Sequence, residues 1–428
     1  MPWVGLVLDA FELVDDNSFL WHVRAGTIQA AAGEVLTTDP FSMSLRGEPW
    51  ITQSWLAELL YAWLEDGMGI GFASFVMLAC AVLTITGLGI IAFRRSESVP
   101  ATAVVVILST ILFLRFIVPR PFVFAYPLFV LVVLAWDRRE TRWTLPFLFW
   151  IWASVHGSFA IGLVYLGLSV LARRDRRALR VVLASGAVTL LTAHGMGVVT
   201  MLLDFARSRR YLDLVTEWRT PDFLEIPLLP VMIGIVVMIY GAMRQRIRPA
   251  DLWIIGPFLL LTASATRAVP TGWIALVPLV AASMRGLEVR GLRGYPTGAA
   301  AVVLTAMLVL PFAFLEPVTI DDEQLPVEAS TTLLDVPTFH DDIAGGYLIW
   351  DETLSGGVFI DDRVEFYGGR IEEFFNVRTM REPWEPVFSS NGIEQALLRV
   401  SEPLVADLVE AGWVFTHQDD HFVVLVPG

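Results

Sequence analysis

Ten apolar runs constrain this chain more than any other feature of its sequence. They cover approximately residues 69–93, 100–118, 121–136, 143–155, 157–172, 179–193, 224–243, 251–266, 270–284 and 297–315. A helix needs about 20 such residues to cross a bilayer, so the shorter runs indicate tilted helices or half-embedded hairpins, particularly around His156. Only 17% of the residues are charged, whereas a soluble protein has about 25%. The sequence therefore predicts an α-helical polytopic membrane protein with about ten transmembrane segments.

Arginine clusters predict the orientation of these segments. All 30 basic residues are arginine, and 16 of them lie in alternate loops between the runs. The clusters are RRSES (94–98), DRRETR (137–142), RRDRRALR (173–180), RQRIR (244–248) and RGLEVRGLR (285–293). Because short cytoplasmic loops carry the positive excess, we assign these loops to the cytoplasm. Ten crossings then place both ends of the chain outside, in the plasma (inner) membrane.

The C-terminal part differs in charge from the rest of the chain. From Glu316 onward there are 23 acidic residues and 5 arginines, which predicts an acidic domain that faces water. The stretches GGYLIW (345–350), GGVFIDDR (356–363) and HFVVLVP (421–427) read as strands. Helical spacing is seen in RIEEFFNVRTM (370–380) and EPLVADLVEAGW (402–413).

We therefore divide the chain into three parts. Residues 1–68 form a first external loop with interfacial helices, 69–315 the transmembrane helical domain, and 316–428 a small α/β extracytoplasmic domain. Only MPWVGLVL precedes the first polar residues, with neither a span nor a signal peptide to export them. This favours either a further helix upstream of Met1 or an interfacial N-terminal helix.

Polar residues that are unusual in so apolar a chain all fall at the predicted outer ends of helices. The first loop supplies Asp15, Asp16, His22, Arg24 and Asp39, and later loops supply Arg120, His156, His194, Glu217 and Arg267. Ionisable groups at a membrane boundary cost free energy unless they face water, a partner or a ligand. Their coincidence on one face predicts a functional site there.

This mixture of side chains suits an acid–base site beside an anion site. Arginine offers a planar fork that matches phosphate oxygens, and a carboxylate can take a proton from an attacking hydroxyl. Nearby tryptophans such as Trp21 and Trp218 could stack on sugar rings or anchor the membrane interface.

Each candidate also has a structural reading. Asp15 and Asp16 can belong to a solvated loop or cap a helix, and Asp39 can shape the turn before Pro40. The others can pack at the interface (His22), reach lipid headgroups (Arg120), hydrogen-bond a helix end (His156, His194) or pair with neighbours (Glu217, Arg267).

Other kinds of site have weaker support. The outer histidines and acids are compatible with a divalent metal, but their spacing matches no metal motif such as HExxH. The acid pairs that begin at 321, 341, 361 and 419 are expected to be solvated surface. No Walker or GxGxxG loop and no basic groove for nucleic acid is present, and the lone Cys80 excludes a disulfide framework.

Three stretches of the first loop form a set: DDNSFLWHVRAG, TTDPFS and the closing TQSWLAELLYAWL. Further motifs follow along the chain, namely RPFVFAYPLF, WIWASVHGSFAIG, TAHGMG, EWRTPDF, ATRAVP and VFIDDRVEFYGG. With these motifs, nearly the whole chain resembles a large group of prokaryotic membrane proteins, which is similar to the GT-C class of integral membrane glycosyltransferases.

The resemblance implies transfer of a sugar from a polyprenyl-phosphate donor to an acceptor hydroxyl on the outer face. It gives the role of base to Asp15 or Asp16, with Asp39 as a second candidate, although adjacent acids depart from the separated acids of the group. Arg120 and Arg267 would stabilise the leaving phosphate. The partners implied are the bilayer, the lipid-linked sugar donor and a glycan, lipid or protein acceptor. No cofactor is assigned beyond this donor substrate, and a divalent metal stays an open alternative.

Two other functions remain open at this point. A transporter or flippase of lipid-linked sugars would use the same residue types, but transporters usually place charges near the bilayer midplane. A non-catalytic membrane scaffold would tolerate replacement of Asp15, Asp16 and Arg120.

Overall fold

The computed structural model describes residues 13–14, 16–207, 216–288 and 319–428, which are mainly helical with a small sheet near the C-terminus. The helices are Asn17–Ala32 (α1), Trp55–Met68 (α2), Phe72–Ser96 (α3), Val99–Phe113 (α4), Ala125–Asp137 (α5), Leu145–Val155 (α6), Phe159–Arg173 (α7), Leu179–Val188 (α8), Gly197–Arg207 (α9), Leu229–Met243 (α10), Leu252–Ser264 (α11), Val269–Ser283 (α12), Val327–Ser330 (α13), Asp342–Asp351 (α14), Val364–Tyr367 (α15), Gly369–Arg378 (α16), Glu385–Asn391 (α17) and Pro403–Glu410 (α18). The strands are Leu13–Val14 (β1), Thr319–Ile320 (β2), Thr338–His340 (β3), Gln395–Arg399 (β4), Trp413–Gln418 (β5) and Phe422–Pro427 (β6).

The first nine predicted apolar runs each contain one helix, from α3 to α8 and from α10 to α12. The tenth run, 297–315, lies outside the described residues. Within the described part, two continuous helical segments are long and apolar enough to cross a membrane, Trp55–Ser96 and Ile226–Met243. The other apolar helices are shorter, so the number of ten crossings stays a prediction.

The chain divides into two compact units, and unit 1 comprises Met1–Glu12, Gly71–Val198 and Val215–Val318. Helix α12 lies at its centre: nearly all of its side chains are buried, and it packs against α3, α4, α5, α10 and α11. On the outside of the unit, large apolar side chains are exposed, including Leu83, Phe147, Val236 and Leu260. Such a surface suits contact with acyl chains better than contact with water.

Unit 2 comprises Leu13–Ile70, Val199–Leu214 and Thr319–Gly428, and so contains both the first loop and the C-terminal tail. Strand β1 pairs in parallel with β2. The main sheet has the order β3-β4-β6-β5, with β3 parallel to β4 and the other pairs antiparallel. Helix α1 packs against α2 and α14. The small C-terminal sheet and the strand predicted at HFVVLVP are thereby confirmed.

Two of the predicted strands in the tail are wrong. GGYLIW lies inside helix α14, which begins where the Asp341 side chain accepts a hydrogen bond of 2.6 Å from the amide of Ala344. GGVFIDDR forms no named strand, and only Val358 makes an isolated bridge, to Ser42 of the first loop. The glycines of GGYLIW serve close packing, because a Cβ atom at Gly346 would lie 2.3 Å from the carbonyl oxygen of Asn17.

Candidate functional site

Asp16 caps the first helix of unit 2. Its Oδ1 accepts a hydrogen bond of 3.1 Å from the amide of Phe19, and the side chain is buried. Asp is one of the preferred N-cap residues because it satisfies an otherwise unpaired amide of the first turn. Asp15, the other candidate base, lies outside the described residues.

His22 and Arg24, on the same helix, are both engaged within unit 2. The Nδ1 atom of His22 lies 2.8 Å from Oε1 of Glu58, a buried acid on α2 that also accepts from Gln29 at 2.6 Å. Arg24 forms an ion pair with the exposed Glu352 of the tail. Glu58 therefore links helices α1 and α2, a role that its place in the apolar sequence WLAELLYAWL does not suggest.

Asp39 is fully buried and has hydrogen-bond partners on both carboxylate oxygens. Oδ1 accepts from the amide of Phe41 at 3.2 Å and from Nη1 of Arg363 at 2.7 Å. Oδ2 accepts from the amide of Ser42 at 2.9 Å and from the Ser42 hydroxyl. This geometry gives Asp39 the task of fixing its turn and pairing with an arginine of the tail, and it leaves the carboxylate no access to a substrate.

Arg363 is the centre of this buried network. It is 2% exposed, and its guanidinium group donates two further hydrogen bonds to Asp361, of 2.8 Å and 2.6 Å. The same guanidinium lies 4.5 Å from the ring centre of Trp50. Burial alone lowers the pKa of Arg363, but the charges of Asp361 and Asp39 outweigh burial and raise it well above its usual range. Sequence reasoning missed Arg363, although an arginine directly after two acids in an apolar stretch was a signal.

A second buried group of charges surrounds Arg378 in the tail. This arginine lies 3.0 Å from Glu402, 3.5 Å from Asp342 and 3.6 Å from Asp341. Burial raises the pKa of Asp342 to about 6 and that of Glu402 to about 7; the charge of Asp341 adds to the rise, and Arg378 opposes it. Arg378 and Arg399, whose Nε lies 3.9 Å from Asp341, face three carboxylates, so a proton on Asp342 or Glu402 relieves the excess of negative charge.

Unit 1 brings together three of the predicted site residues, which come from loops far apart in sequence. Nη1 of Arg120 lies 3.2 Å from Oε2 of Glu217, and Nη1 of Arg267 lies 3.4 Å from the same oxygen. Arg120 directly precedes the turn Pro121–Phe124 that leads into α5, Glu217 lies in the turn Thr216–Trp218, and Arg267 lies in the turn before α12. We call these three residues the arginine–glutamate cluster.

The arginine–glutamate cluster places two cations around one carboxylate. Burial raises the pKa of Glu217, but Arg267 and Arg120 lower it more, so that it lies below its usual value. Glu217 is therefore ionised at neutral pH, and the three side chains of the cluster sum to a charge of +1. The Glu217 side chain is 44% exposed, against 18% for Arg120 and 25% for Arg267. A phosphate can approach such a site from the exposed side.

Aromatic rings border the cluster. The Arg267 guanidinium lies 5.4 Å from the ring centre of Phe122 and 5.6 Å from that of Trp218. The ring centre of His156 lies 4.9 Å from that of Phe122. The Nδ1 atom of His156 accepts a hydrogen bond of 3.1 Å from the amide of Ser158. His156 thus joins the same region while it hydrogen-bonds the backbone between α6 and α7.

His194 occupies a turn that precedes α9, where its carbonyl oxygen accepts from the amide of Gly197 at 2.8 Å. The structure thus distributes the predicted residues over both units. Arg120, His156, His194, Glu217 and Arg267 belong to unit 1. Asp16, His22, Arg24 and Asp39 belong to unit 2. Within the described ranges, no three His, Cys, Asp or Glu side chains are placed to hold a metal ion.

The fold of the chain is similar to that of a solved structure, ArnT from Cupriavidus metallidurans in the apo state. The TM-score is 0.56 and the sequence identity 12%, and the match covers 99% of this chain and 96% of that chain. This likeness confirms, at the level of the fold alone, the predicted helical architecture with a small C-terminal domain that contains a sheet. No protein-family model matches the sequence, and neither does any curated protein.

Proposed function

We propose that this chain, whose fold is similar to that of ArnT, is a membrane glycosyltransferase that moves a sugar from a polyprenyl-phosphate donor to an acceptor hydroxyl on the outer face. A shared fold alone does not establish an activity. The observation that carries the proposal is the arginine–glutamate cluster, in which Arg120 and Arg267 converge on Glu217 from three separate loops.

The cluster suits the leaving group of the proposed reaction. The acceptor oxygen forms a bond to the anomeric carbon as the bond from that carbon to the donor phosphate breaks, and the lipid phosphate departs with the bonding electron pair. Arg120 and Arg267 present fixed cations for the charge that develops on the phosphate, and such electrostatic stabilisation is often the largest contribution to catalysis. Glu217 holds the two guanidinium groups in place until the phosphate arrives.

The base that takes the acceptor proton is Asp15 or Asp16 in this proposal. Asp39 is the poorer candidate because its carboxylate is buried and already accepts hydrogen bonds on both oxygens. Asp16 is buried as well, and its Oδ1 caps helix α1 by accepting a hydrogen bond from the amide of Phe19.

Placement in the plasma membrane with the tail outside is part of the proposal. Strands β1 and β2 pair, so the chain between them must cross a bilayer an even number of times. The arginine clusters of alternate loops favour the cytoplasm for the opposite side. The charges of the arginine–glutamate cluster lie in turns outside the helices, which favours an enzyme over a transporter with charges at the midplane.

The test is sugar transfer by the purified full chain, with radiolabelled polyprenyl-phosphate sugars and a membrane-derived acceptor fraction. Arg120→Ala and Arg267→Ala should each lower the rate of lipid-phosphate release about 100- to 1000-fold, as loss of one transition-state donor does. Arg95→Ala is the matched control, because Arg95 and Arg173 flank Asp137 as the cluster arginines flank Glu217. Asp137 lies at the end of α5 and Arg120 lies before its start, so the length of this helix, about 20 Å, separates the control pair from the cluster.

Two further variants address the base. Asp16→Asn retains the helix cap, since Asn caps about as well as Asp, and therefore separates chemistry from folding. Asp15→Asn tests the other candidate base in the same way. Equal transfer rates in the Arg120, Arg267 and Arg95 variants would refute the proposal. Donor binding without phosphate release in the unmodified protein would favour a transporter or a scaffold, and loss of transfer with a chelator would add a divalent metal to the site.

A further inference from the structure

An apolar groove runs along the C-terminal half of α7 to the start of α8, at the end of unit 1 that carries the RRDRRALR loop. Its volume is about 620 Å³, within the range of about 300–1,000 Å³ that is usual for ligand pockets. Val164, Gly167 and Leu171 of α7 line it, together with Leu179 of α8, and Arg176 lies at its end. The groove therefore combines an apolar trough with one terminal cation.

The apolar part of the groove is open. Val164, Leu171 and Leu179 are exposed, as is Leu183 on the next turn of α8. A Cβ atom at Gly167 would meet no atom within 4 Å, so this glycine leaves space that no other part of the described chain fills. Exposed apolar side chains around an empty trough fit an acyl chain.

The charged end of the groove has an excess of cations. Arg173 pairs with Asp137, and the one acid of the loop, Asp175, pairs with Arg142. The remaining arginines of the loop, Arg174, Arg176, Arg177 and Arg180, make no ion pair within the described part of the chain.

The position of one of these arginines is itself unfavourable in the absence of an anion. Arg180 lies in the first turn of α8, where the helix dipole presents its positive end and disfavours a cation. An external anion near Arg176 and Arg180 would remove this repulsion.

We propose that this groove binds an anionic phospholipid of the membrane, with one acyl chain in the trough and the phosphate on Arg176. The proposal goes beyond sugar transfer and rests only on the membrane placement given under Proposed function. A partner helix fits the groove less well, because it would have to cover the unpaired arginines, whereas a lipid headgroup neutralises them. Each arginine near an anionic lipid surface contributes about fivefold in affinity.

The experiment is native mass spectrometry of the detergent-purified full chain after incubation with equimolar phosphatidylglycerol and phosphatidylcholine. We expect selective retention of one phosphatidylglycerol molecule. Arg176→Gln should lower that retention about fivefold, and Gly167→Leu should lower it by filling the trough. Arg139→Gln is the matched control, since Arg139 is also exposed but does not line the groove.

Several outcomes would overturn the proposal. They are equal retention of the two lipids, unchanged retention in both groove variants, and an equal loss in the Arg139 control, which would indicate general surface charge. Displacement of phosphatidylglycerol by polyprenyl phosphate would assign the groove to the donor lipid instead. Thermal melting of Gly167→Leu checks that it folds, and Arg176→Gln tests the headgroup contact without adding bulk. Because sugar transfer is not the readout, failure here and failure of the proposed function are distinguishable.

Discussion

Replacing Asp39 by Asn should destabilise unit 2, because Asn cannot satisfy the donors that converge on this carboxylate. The amide of Phe41 and the guanidinium of Arg363 donate to Oδ1, while the amide of Ser42 donates to Oδ2. Asn offers one carbonyl oxygen, and its NH2 group must therefore face donors on one side. The perturbation removes a buried negative charge and leaves a buried donor without an acceptor.

The magnitude follows from these contacts. A hydrogen bond to a charged group contributes about 1.5–3 kcal/mol, and a buried unsatisfied donor costs about 1–3 kcal/mol. Arg363 keeps both hydrogen bonds to Asp361, so the loss should stay near the lower end of the sum, about 3 kcal/mol. For a unit of this size, each kcal/mol lowers the melting temperature by about 2–4 °C, which gives about 6–12 °C.

The assay is thermal unfolding of the purified full chain, read by near-UV circular dichroism. Asp335→Asn is the matched control: Asp335 also accepts from a serine amide and hydroxyl, those of Ser355 at 2.8 Å and 2.7 Å, but it is exposed and has no arginine partner in the described chain. The melting temperature of the control should change much less, because surface substitutions have small effects on stability. A shift in Asp39→Asn no larger than in the control would refute the reasoning. Full stability with loss of sugar transfer would instead return Asp39 to the role of base.

Three further predictions concern packing, protons and a second buried arginine. Gly26→Ala should prevent α1 from packing on α2, because the new Cβ would lie 1.9 Å from the backbone oxygen of Glu58. Gly67→Ala is the control: its Cβ has open space, and it should raise the free energy of unfolding by about 0.5–1 kcal/mol. The melting temperatures of the two variants test this difference. The pKa of Glu402 is raised from 4.5 to about 7, so between these pH values the folded state binds a proton that the unfolded chain releases. The free energy of unfolding should therefore fall by about 3 kcal/mol as the pH rises from 4.5 to 7. Glu402→Gln should flatten this dependence in urea titrations between pH 4.5 and 7. Arg142→Ala should cost about 1–3 kcal/mol because it removes a hydrogen bond to the Trp136 carbonyl and the ion pair with the partly exposed Asp175. Arg139→Ala, at an exposed site, should cost less than about 0.5 kcal/mol in the same titrations.

Local features of the sequence predicted the helices of unit 1 well. Each described apolar run contains a helix because a backbone in an apolar environment must satisfy its own hydrogen bonds, a requirement that depends on no distant residue. The arginine–glutamate cluster was predicted only as residues at one set of helix ends. Their approach to within 3.4 Å depends on how the helices pack, which the pattern does not contain.

The errors fall where distant residues decide the structure. GGYLIW reads as a strand by its own composition, but Gly346 is needed for contact with Asn17, more than 300 residues earlier. Asp39 and Arg363 show the same limitation. Asp39 was predicted as a catalytic or turn-shaping residue and Arg363 was not singled out, because only the meeting of the DPFS turn with the tail buries both.

The pairing of the first loop with the tail also sets an order of events during synthesis. Residue 319 leaves the ribosome about 250 residues after residue 70, and at about 5–20 residues per second this interval lasts roughly 12–50 s. Throughout it, Asp39 and Trp50 have no arginine to cover them, and the loop cannot complete its fold. Maturation of the first loop is thus timed by the end of translation, and a chain that stops before Arg363 would release an unfinished loop to quality control.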